Sequence, residues 1–156
     1  MLKKYKPLVI SIALSLGVGA LSAFITMGDI KEQYMAFSKP PLSPPGYVFG
    51  IVWAVLYVLM GVSAYIVYKS DSSERLPALF VYGVQLIVNF LWPILFFTLE
   101  MRLAAFFLIL ILIALIVLMV NKFYKVEPYA AYLQIPYLFW CIFAAYLNIG
   151  IYILNR

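Results

Sequence analysis

The charged residues are spread so unevenly along the chain that five long stretches carry no charge. The 156 residues include eleven basic and six acidic side chains, and the uncharged stretches are 7–28, 40–68, 76–99, 103–121 and 128–155. An α-helix needs about 20 apolar residues to cross a hydrocarbon core about 30 Å thick. Each stretch can therefore form one span, and the sequence predicts an all-α integral membrane protein, a bundle of five transmembrane helices.

The predicted helices cover about 7–28, 46–68, 77–99, 103–122 and 128–155, with a loop at about 28–45, in one domain spanning 1–156. Composition agrees, because 67% of the residues are hydrophobic and 11% are charged, against about 25% charged in soluble domains. The first stretch is open to a second interpretation as a signal peptide, but it exceeds the roughly 7–15 residues of a signal core. Its small residues recur every four positions, which favours close helix packing; they are Ser11, Ser15, Gly19 and Ala23.

The basic residues predict the orientation of the bundle. Five spans place seven of them on the face that carries the amino terminus and four on the other, and Lys and Arg are retained on the cytoplasmic side. We therefore expect a cytoplasmic amino terminus, in what we interpret as a bacterial plasma membrane. The net charge of +5 fits this sidedness and contact with anionic lipid headgroups, and no basic groove predicts a nucleic-acid partner.

Missing residue types exclude several functional classes. The chain has no His, which excludes a His-ligated metal or haem and a His-based catalytic triad. Cys141 is the single cysteine, and in an apolar helix a packing role is favoured over a nucleophilic one. The predicted spans contain no ionisable Asp, Glu, Lys or Arg of the kind that ion-coupled transporters use. We expect no metal site, no required cofactor and no conventional enzymatic turnover.

Amide and aromatic side chains at helical spacing form the candidate site. Gln85, Asn89, Trp92 and Phe96 share one face of the third predicted helix. The two amides have two open interpretations, namely hydrogen bonds between helices or contacts with a ligand in a cavity. Similar faces occur on the second helix, with Trp53, Tyr57 and Met60, and on the fifth, with Trp140, Ala144, Leu147 and Asn148.

Tryptophan depth and proline positions add to this picture. Trp53 and Trp140 lie too far inside their stretches for a simple interfacial aromatic belt, the alternative role of membrane tryptophans. Pro93 and Pro136 predict kinks in the third and fifth helices, which would leave room between helices. The first connection contains four prolines within 40–45 and is predicted to be a stiff lid over one mouth of the bundle, with a plain connector as the alternative.

Three blocks of residues resemble the TspO/MBR family of tryptophan-rich sensory proteins, relatives of the mitochondrial translocator protein. The first runs from Lys39-Pro40 through Pro44-Pro45-Gly46, Phe49, Trp53 and Tyr57 to Ser63. The second is Asn89-Phe90-Leu91-Trp92-Pro93 with Phe96-Phe97, and the third is Pro136-Tyr137 with Trp140, Ala144, Leu147-Asn148 and Asn155. Their order and separation match the family over about 28–156.

The resemblance implies a five-helix bundle, usually a homodimer, with a ligand cavity closed by the first loop. Family members bind tetrapyrroles such as protoporphyrin IX, and many bind cholesterol or benzodiazepine-type drugs. This sequence departs from the vertebrate pattern at Ala104, where those relatives have tryptophan, so cholesterol recognition stays open here. The ligand-binding residues that the resemblance implies are Tyr34, Trp53, Tyr57, Asn89, Trp92, Phe96, Trp140, Ala144 and Leu147.

Three functions remain open at this stage. The first is a receptor or carrier that binds a tetrapyrrole in an aromatic pocket, with the ring carboxylates near Lys31 or Lys39 at the headgroups. The second is degradation of bound protoporphyrin in light and oxygen, in which Trp53 and Trp140 are the candidate catalytic residues. The third is a structural membrane protein without a ligand. The absence of acid–base pairs favours the first.

Overall fold

The computed structural model describes residues 2–156, apart from the side chains of residues 2 and 31, and every regular element in that range is helical. The helices are α1 (Leu2–Ala36), α2 (Gly46–Lys69), α3 (Arg75–Pro93), α4 (Arg102–Val126), α5 (Pro128–Leu133) and α6 (Ile135–Leu154), and a π-helical segment (Ile94–Thr98) continues α3. Five helical stretches are long and apolar enough to span a membrane: Lys3–Ile30, Gly46–Lys69, Arg75–Thr98, Arg102–Val126 and Pro128–Leu154. The predicted five-helix membrane bundle is confirmed.

The first predicted boundary is wrong, because α1 continues to Ala36 instead of ending near residue 28. The loop predicted over 28–45 is correspondingly shorter and covers residues 37–45, which we call the lid. Tyr34 therefore lies in the last turns of α1 and not in the lid. Charged residues limit the part of a helix that sits in hydrocarbon, but they do not end the helix itself, and 29–36 contains neither Pro nor Gly.

Pro93 and Pro136, the two prolines predicted to kink helices, coincide with departures from α-helical hydrogen bonding. The π-helical segment begins directly after Pro93, and the Leu99 amide donates to the Ile94 carbonyl at 2.9 Å. The last span is interrupted at Gln134, which separates α5 from α6 two residues before Pro136. Proline has no N–H for the preceding turn and its ring crowds the carbonyl four residues earlier, so the helix must reorganise at these points.

Helices α1 and α2 approach each other closely at Gly61. A Cβ at Gly61 would lie 2.5 Å from the backbone Cα of Ile12, so only glycine fits at this contact. The Ser11 hydroxyl donates to the Gly61 carbonyl at 2.7 Å, and the Ser15 hydroxyl donates to the Tyr57 carbonyl at 2.6 Å. This part of the small-residue stripe of α1 thus packs against α2, as the spacing predicts.

The lid is fastened to both ends of the cavity mouth. On the α6 side, the Tyr146 hydroxyl donates to the Pro41 carbonyl at 2.6 Å, and Asn155 exchanges two hydrogen bonds with the backbone of Ser38. The ring of Pro40 occupies the space beside Gly150, where a Cβ would lie 2.6 Å from the proline Cγ. The predicted plain-connector alternative does not account for these contacts, because a simple connector needs no such attachment.

Candidate functional site

A cavity of about 750 Å³ lies beneath the lid. Its walls come from α1, α2, α3, the π-helical segment and α6, and most of its surface is apolar. The volume falls within the range of about 300–1,000 Å³ that is typical of small-molecule sites. The cavity is thus large enough for a ligand of drug or cofactor size.

The residues predicted for the ligand site all lie on the wall of this cavity. They come from five elements, namely α1, α2, α3, the π-helical segment and α6, and they are Tyr34, Trp53, Tyr57, Asn89, Trp92, Phe96, Trp140, Ala144 and Leu147. All three tryptophans of the chain are among them. That these residues bind a ligand stays a prediction.

The aromatic side chains of the wall hold one another in place. Trp53 lies 5.7 Å from Tyr57 between ring centroids, and Trp92 stacks on Phe96 at 5.4 Å with 27° between the ring planes. Trp140 packs against Phe49 at 5.8 Å. Contacts of this kind contribute about 0.5–1.5 kcal/mol per pair beyond the buried area. The wall is therefore a set of oriented indole and phenyl surfaces.

A chain of hydrogen bonds crosses the bundle behind the wall. The Tyr57 hydroxyl donates to Asn89 Oδ1 at 2.5 Å, Asn89 Nδ2 donates to the Tyr137 hydroxyl at 2.7 Å, and that hydroxyl donates to Gln85 Oε1 at 2.6 Å. Asn89 and Gln85 thus both bond between helices, while Asn89 alone also lines the cavity. Tyr137 was not among the predicted site residues, although it lies three and seven positions before Trp140 and Ala144 and therefore shares their face of α6.

A second polar link fixes the indole of Trp92. Its Nε1 donates to Asn148 Oδ1 at 2.9 Å, and Asn148 Nδ2 donates to the backbone carbonyl of Arg102 at 2.9 Å. Asn148 thereby joins α3, α6 and the start of α4. Both polar atoms of its amide are satisfied within the bundle, so this pair serves to orient the tryptophan ring.

Trp140 differs from Trp92 in its hydrogen bonding. Its indole Nε1 is buried and has no hydrogen-bond partner among the described residues. Leaving a buried donor unpaired costs about 1–3 kcal/mol. Trp140 lines the cavity, while its Nε1 atom is itself buried within the bundle.

Several wall residues were not found from the sequence. The largest group lies on α1, where several side chains are small and leave the volume of the cavity free; it comprises Leu16, Gly19, Ala20, Ser22, Ala23, Thr26, Met27, Ile30 and Met35. A Cβ at Gly19 would lie 2.2 Å from the Tyr57 ring. The signal was present as the continuation of the small-residue stripe beyond Ser15, but the stripe was interpreted as helix packing alone.

Tyr34 and Lys39 close the mouth of the cavity. The Tyr34 hydroxyl donates to the Pro44 carbonyl, and burial raises the pKa of that hydroxyl above its ordinary value. Lys39 Nζ donates to the carbonyls of Tyr34 at 2.7 Å and Phe37 at 3.1 Å. The lysine therefore holds the lid, while the side chain of Lys31, the other cation predicted near the ligand carboxylates, lies outside the described residues.

Sequence comparison identifies the family. The model of the TspO/MBR family matches residues 11–154. The chain belongs to the TspO/MBR family. The tryptophan-rich protein TspO of Archaeoglobus fulgidus is 37% identical over 150 residues, which cover 95% of this chain and 96% of that protein. The translocator protein of Bos taurus is 35% identical over 137 residues, or 86% of this chain and 80% of the bovine protein.

A bacterial relative extends the comparison. Protein CrtK of Rhodobacter capsulatus is 34% identical over 140 residues, which cover 88% of this chain and 85% of that protein. The TspO/MBR match and the five apolar spans together make this chain an integral membrane protein of a ligand-binding family. The predicted resemblance is confirmed over nearly the whole chain, including α1.

Proposed function

We propose that this TspO/MBR protein is a membrane receptor or carrier that binds tetrapyrroles, with protoporphyrin IX as the representative ligand, in the cavity beneath the lid. The observation that carries the proposal is the aromatic wall, which gathers Trp53, Trp92 and Trp140 from three helices around a single apolar volume. A porphyrin is a flat, extended aromatic ring, and indole faces offer it stacking surfaces. Benzodiazepine-type molecules are flat and apolar too, and belong to the same proposed class.

The polar groups of the wall support one orientation of such a ligand. Asn89 is held by Tyr57 and Tyr137 so that its amide cannot turn freely. Few, well-oriented polar contacts in an apolar cavity are typical of small-molecule sites. The acidic side chains of a tetrapyrrole would then point to the lid end, where the headgroups lie.

The membrane setting of the proposal follows from the charge distribution. The end of the bundle that carries the amino terminus holds the larger share of Lys and Arg. We propose that this end faces the cytoplasm of a bacterium, so that the lid faces outward. We also propose a homodimer, in keeping with the family resemblance.

A titration in the dark tests the binding proposal. Purified protein in detergent is titrated with protoporphyrin IX while tryptophan fluorescence and pigment absorbance are followed. We expect saturable quenching with a Kd of about 1 μM or tighter, or about −8 kcal/mol. Quenching that rises without saturation, as for partition into detergent micelles, would reject the proposal.

A second candidate function is degradation of protoporphyrin by light and dioxygen. Trp53 and Trp140 favour it, because both oxidisable indoles lie on the wall that would touch the excited ring. The rate of pigment loss is measured under illumination in air, and the rate of a protein-free control is subtracted. We expect the Trp53→Phe and Trp140→Phe variants to show at most half of the remaining rate of the parent. Equal rates in the parent and both variants, at equal ligand occupancy, would exclude a tryptophan mechanism.

A further inference from the structure

The two sides of the cavity differ in how exposed their lining residues are. On the α3 and α6 side, the lining residues are buried or partly buried, with 3% exposure at Asn89 and 2% at Phe96. On the α1 and α2 side, residues that line the same cavity are largely exposed, with 63% at Met27 and 73% at Tyr47. Small, exposed residues that border the cavity lie on both of these helices, so little side-chain volume separates the cavity from the outside. The cavity is therefore open between α1 and α2.

This opening, which we call the window, is bordered by small residues. Its members are Ala20, Ala23 and Met27 of α1 and Tyr47, Gly50 and Ala54 of α2. A Cβ built at Gly50 would meet no described atom within 4 Å. Farther along α1 and α2, Gly61 lies against the backbone of Ile12. The two helices are therefore in contact there and leave space between them only beside the cavity.

The window lies within the membrane spans. Ala20, Ala23 and Met27 belong to the span Lys3–Ile30, and Gly50 and Ala54 belong to Gly46–Lys69. The medium outside these residues is thus lipid, which is where a flat apolar molecule concentrates. By contrast, the lid is held by Tyr146, Asn155 and the Pro40 contact at Gly150.

We propose that the ligand enters and leaves the cavity sideways from the lipid through the window, while the lid stays closed. The proposal rests on the proposed function, since it concerns how the same cavity is filled. Entry from lipid needs no loss of the lid hydrogen bonds. The lid then stays fixed across the end of the bundle, and the window controls the rates of exchange.

Narrowing the window tests the route. Gly50→Phe adds a ring at a position where a Cβ would meet no described atom within 4 Å. Gly17→Phe on α1 is the matched control. A Cβ at Gly17 would likewise meet no described atom within 4 Å, and Gly17 does not line the cavity. In vesicles that contain protoporphyrin IX, we expect Gly50→Phe to slow dissociation by about tenfold, because a narrower window hinders exit, whereas a ring that only displaced the ligand would speed dissociation. The control should match the parent.

Locking the lid is the complementary measurement. Ser38→Cys with Asn155→Cys joins residues that already share two hydrogen bonds, and either oxidation or a short bismaleimide can link them; the native Cys141 is buried. We expect the locked protein to load ligand within about twofold of the parent rate. A locked lid that blocks loading would overturn the proposal, as would unchanged rates in both Gly50→Phe and a second window variant, Ala23→Phe.

These outcomes are distinct from a failure of the proposed function. If the parent protein shows no saturable binding, the cavity is not the protoporphyrin site, and no exchange rate can be measured for it. If the parent binds but the window variants exchange ligand normally, the site stands and the lateral route is wrong.

Discussion

Replacing Ala144 with phenylalanine is expected to weaken protoporphyrin binding by at least about 30-fold, the equivalent of about 2 kcal/mol. Ala144 lies on the α6 wall of the cavity and is buried, with 5% exposure. A phenyl ring at this position would project into space that the ligand needs, between Trp140 and Leu147. The dark titration measures the effect directly.

The control for this variant separates a filled cavity from a damaged fold. Ala144→Ser keeps the side chain small and should bind within about threefold of the parent. Both variants should keep the helical circular-dichroism spectrum and an unfolding midpoint close to that of the parent. Undiminished affinity in a folded Ala144→Phe protein would move the ligand site away from this cavity.

The Gly61→Ala substitution is expected to reduce the free energy of unfolding by about 1–3 kcal/mol, the usual cost of overpacking. The added Cβ would lie 2.5 Å from Cα and 2.9 Å from N of Ile12, and backbone atoms of a helix cannot move aside individually. Helices α1 and α2 would have to separate, which would also strain the Ser11 hydrogen bond to the Gly61 carbonyl. Thermal unfolding in detergent measures the loss.

The Gly83→Ala substitution on α3 is expected not to reduce the free energy of unfolding, in contrast to Gly61→Ala. A Cβ at Gly83 would meet no described atom within 4 Å, so the substitution adds no clash. Alanine is favoured over glycine in a helix by up to about 1 kcal/mol, and the midpoint should stay unchanged or rise. A Gly61→Ala protein as stable as Gly83→Ala would contradict the close α1 and α2 contact.

The spans were predictable because the hydrocarbon core imposes a strong constraint on charge. Four of the five predicted helices begin within two residues of their observed positions, as for Gly46 at the start of α2 and Pro128 at the start of α5. The end of α1 was not predictable in this way, since charged residues such as Asp29 and Glu32 are compatible with a helix outside the lipid. Its last turns depend on contacts of Gln33 with the Phe97 carbonyl and Arg102.

The candidate site was predictable where helical spacing selects a face. Asn89, Trp92 and Phe96 follow that spacing and share the cavity wall, although Phe96 itself lies within the π-helical segment. Spacing could not decide how the amides are used, because Gln85 and Asn89 lie on the same face yet only Asn89 reaches the cavity. The decisive partner is the Tyr137 hydroxyl, 48 and 52 positions away in the chain.

The contribution of α1 to the site depends on a distance that a sequence does not contain. Small residues allow two helices to touch, as at Ser15, or border an empty volume, as at Ala23. Whether a small residue touches the other helix or borders the cavity depends on the distance between α1 and α2, which increases from Gly61 toward the lid. The same divergence produces the window, so the sequence pattern alone could predict neither the full wall nor the opening.

The most direct test of the central claim is an experimental structure of the protein with protoporphyrin IX bound. The account predicts density for the ring inside the cavity, in contact with Trp53 and Trp140 and with the lid in place. A ring bound instead in the lipid-facing groove between α2 and α6, which Val55, Leu59 and Phe139 border, with the cavity empty, would contradict it.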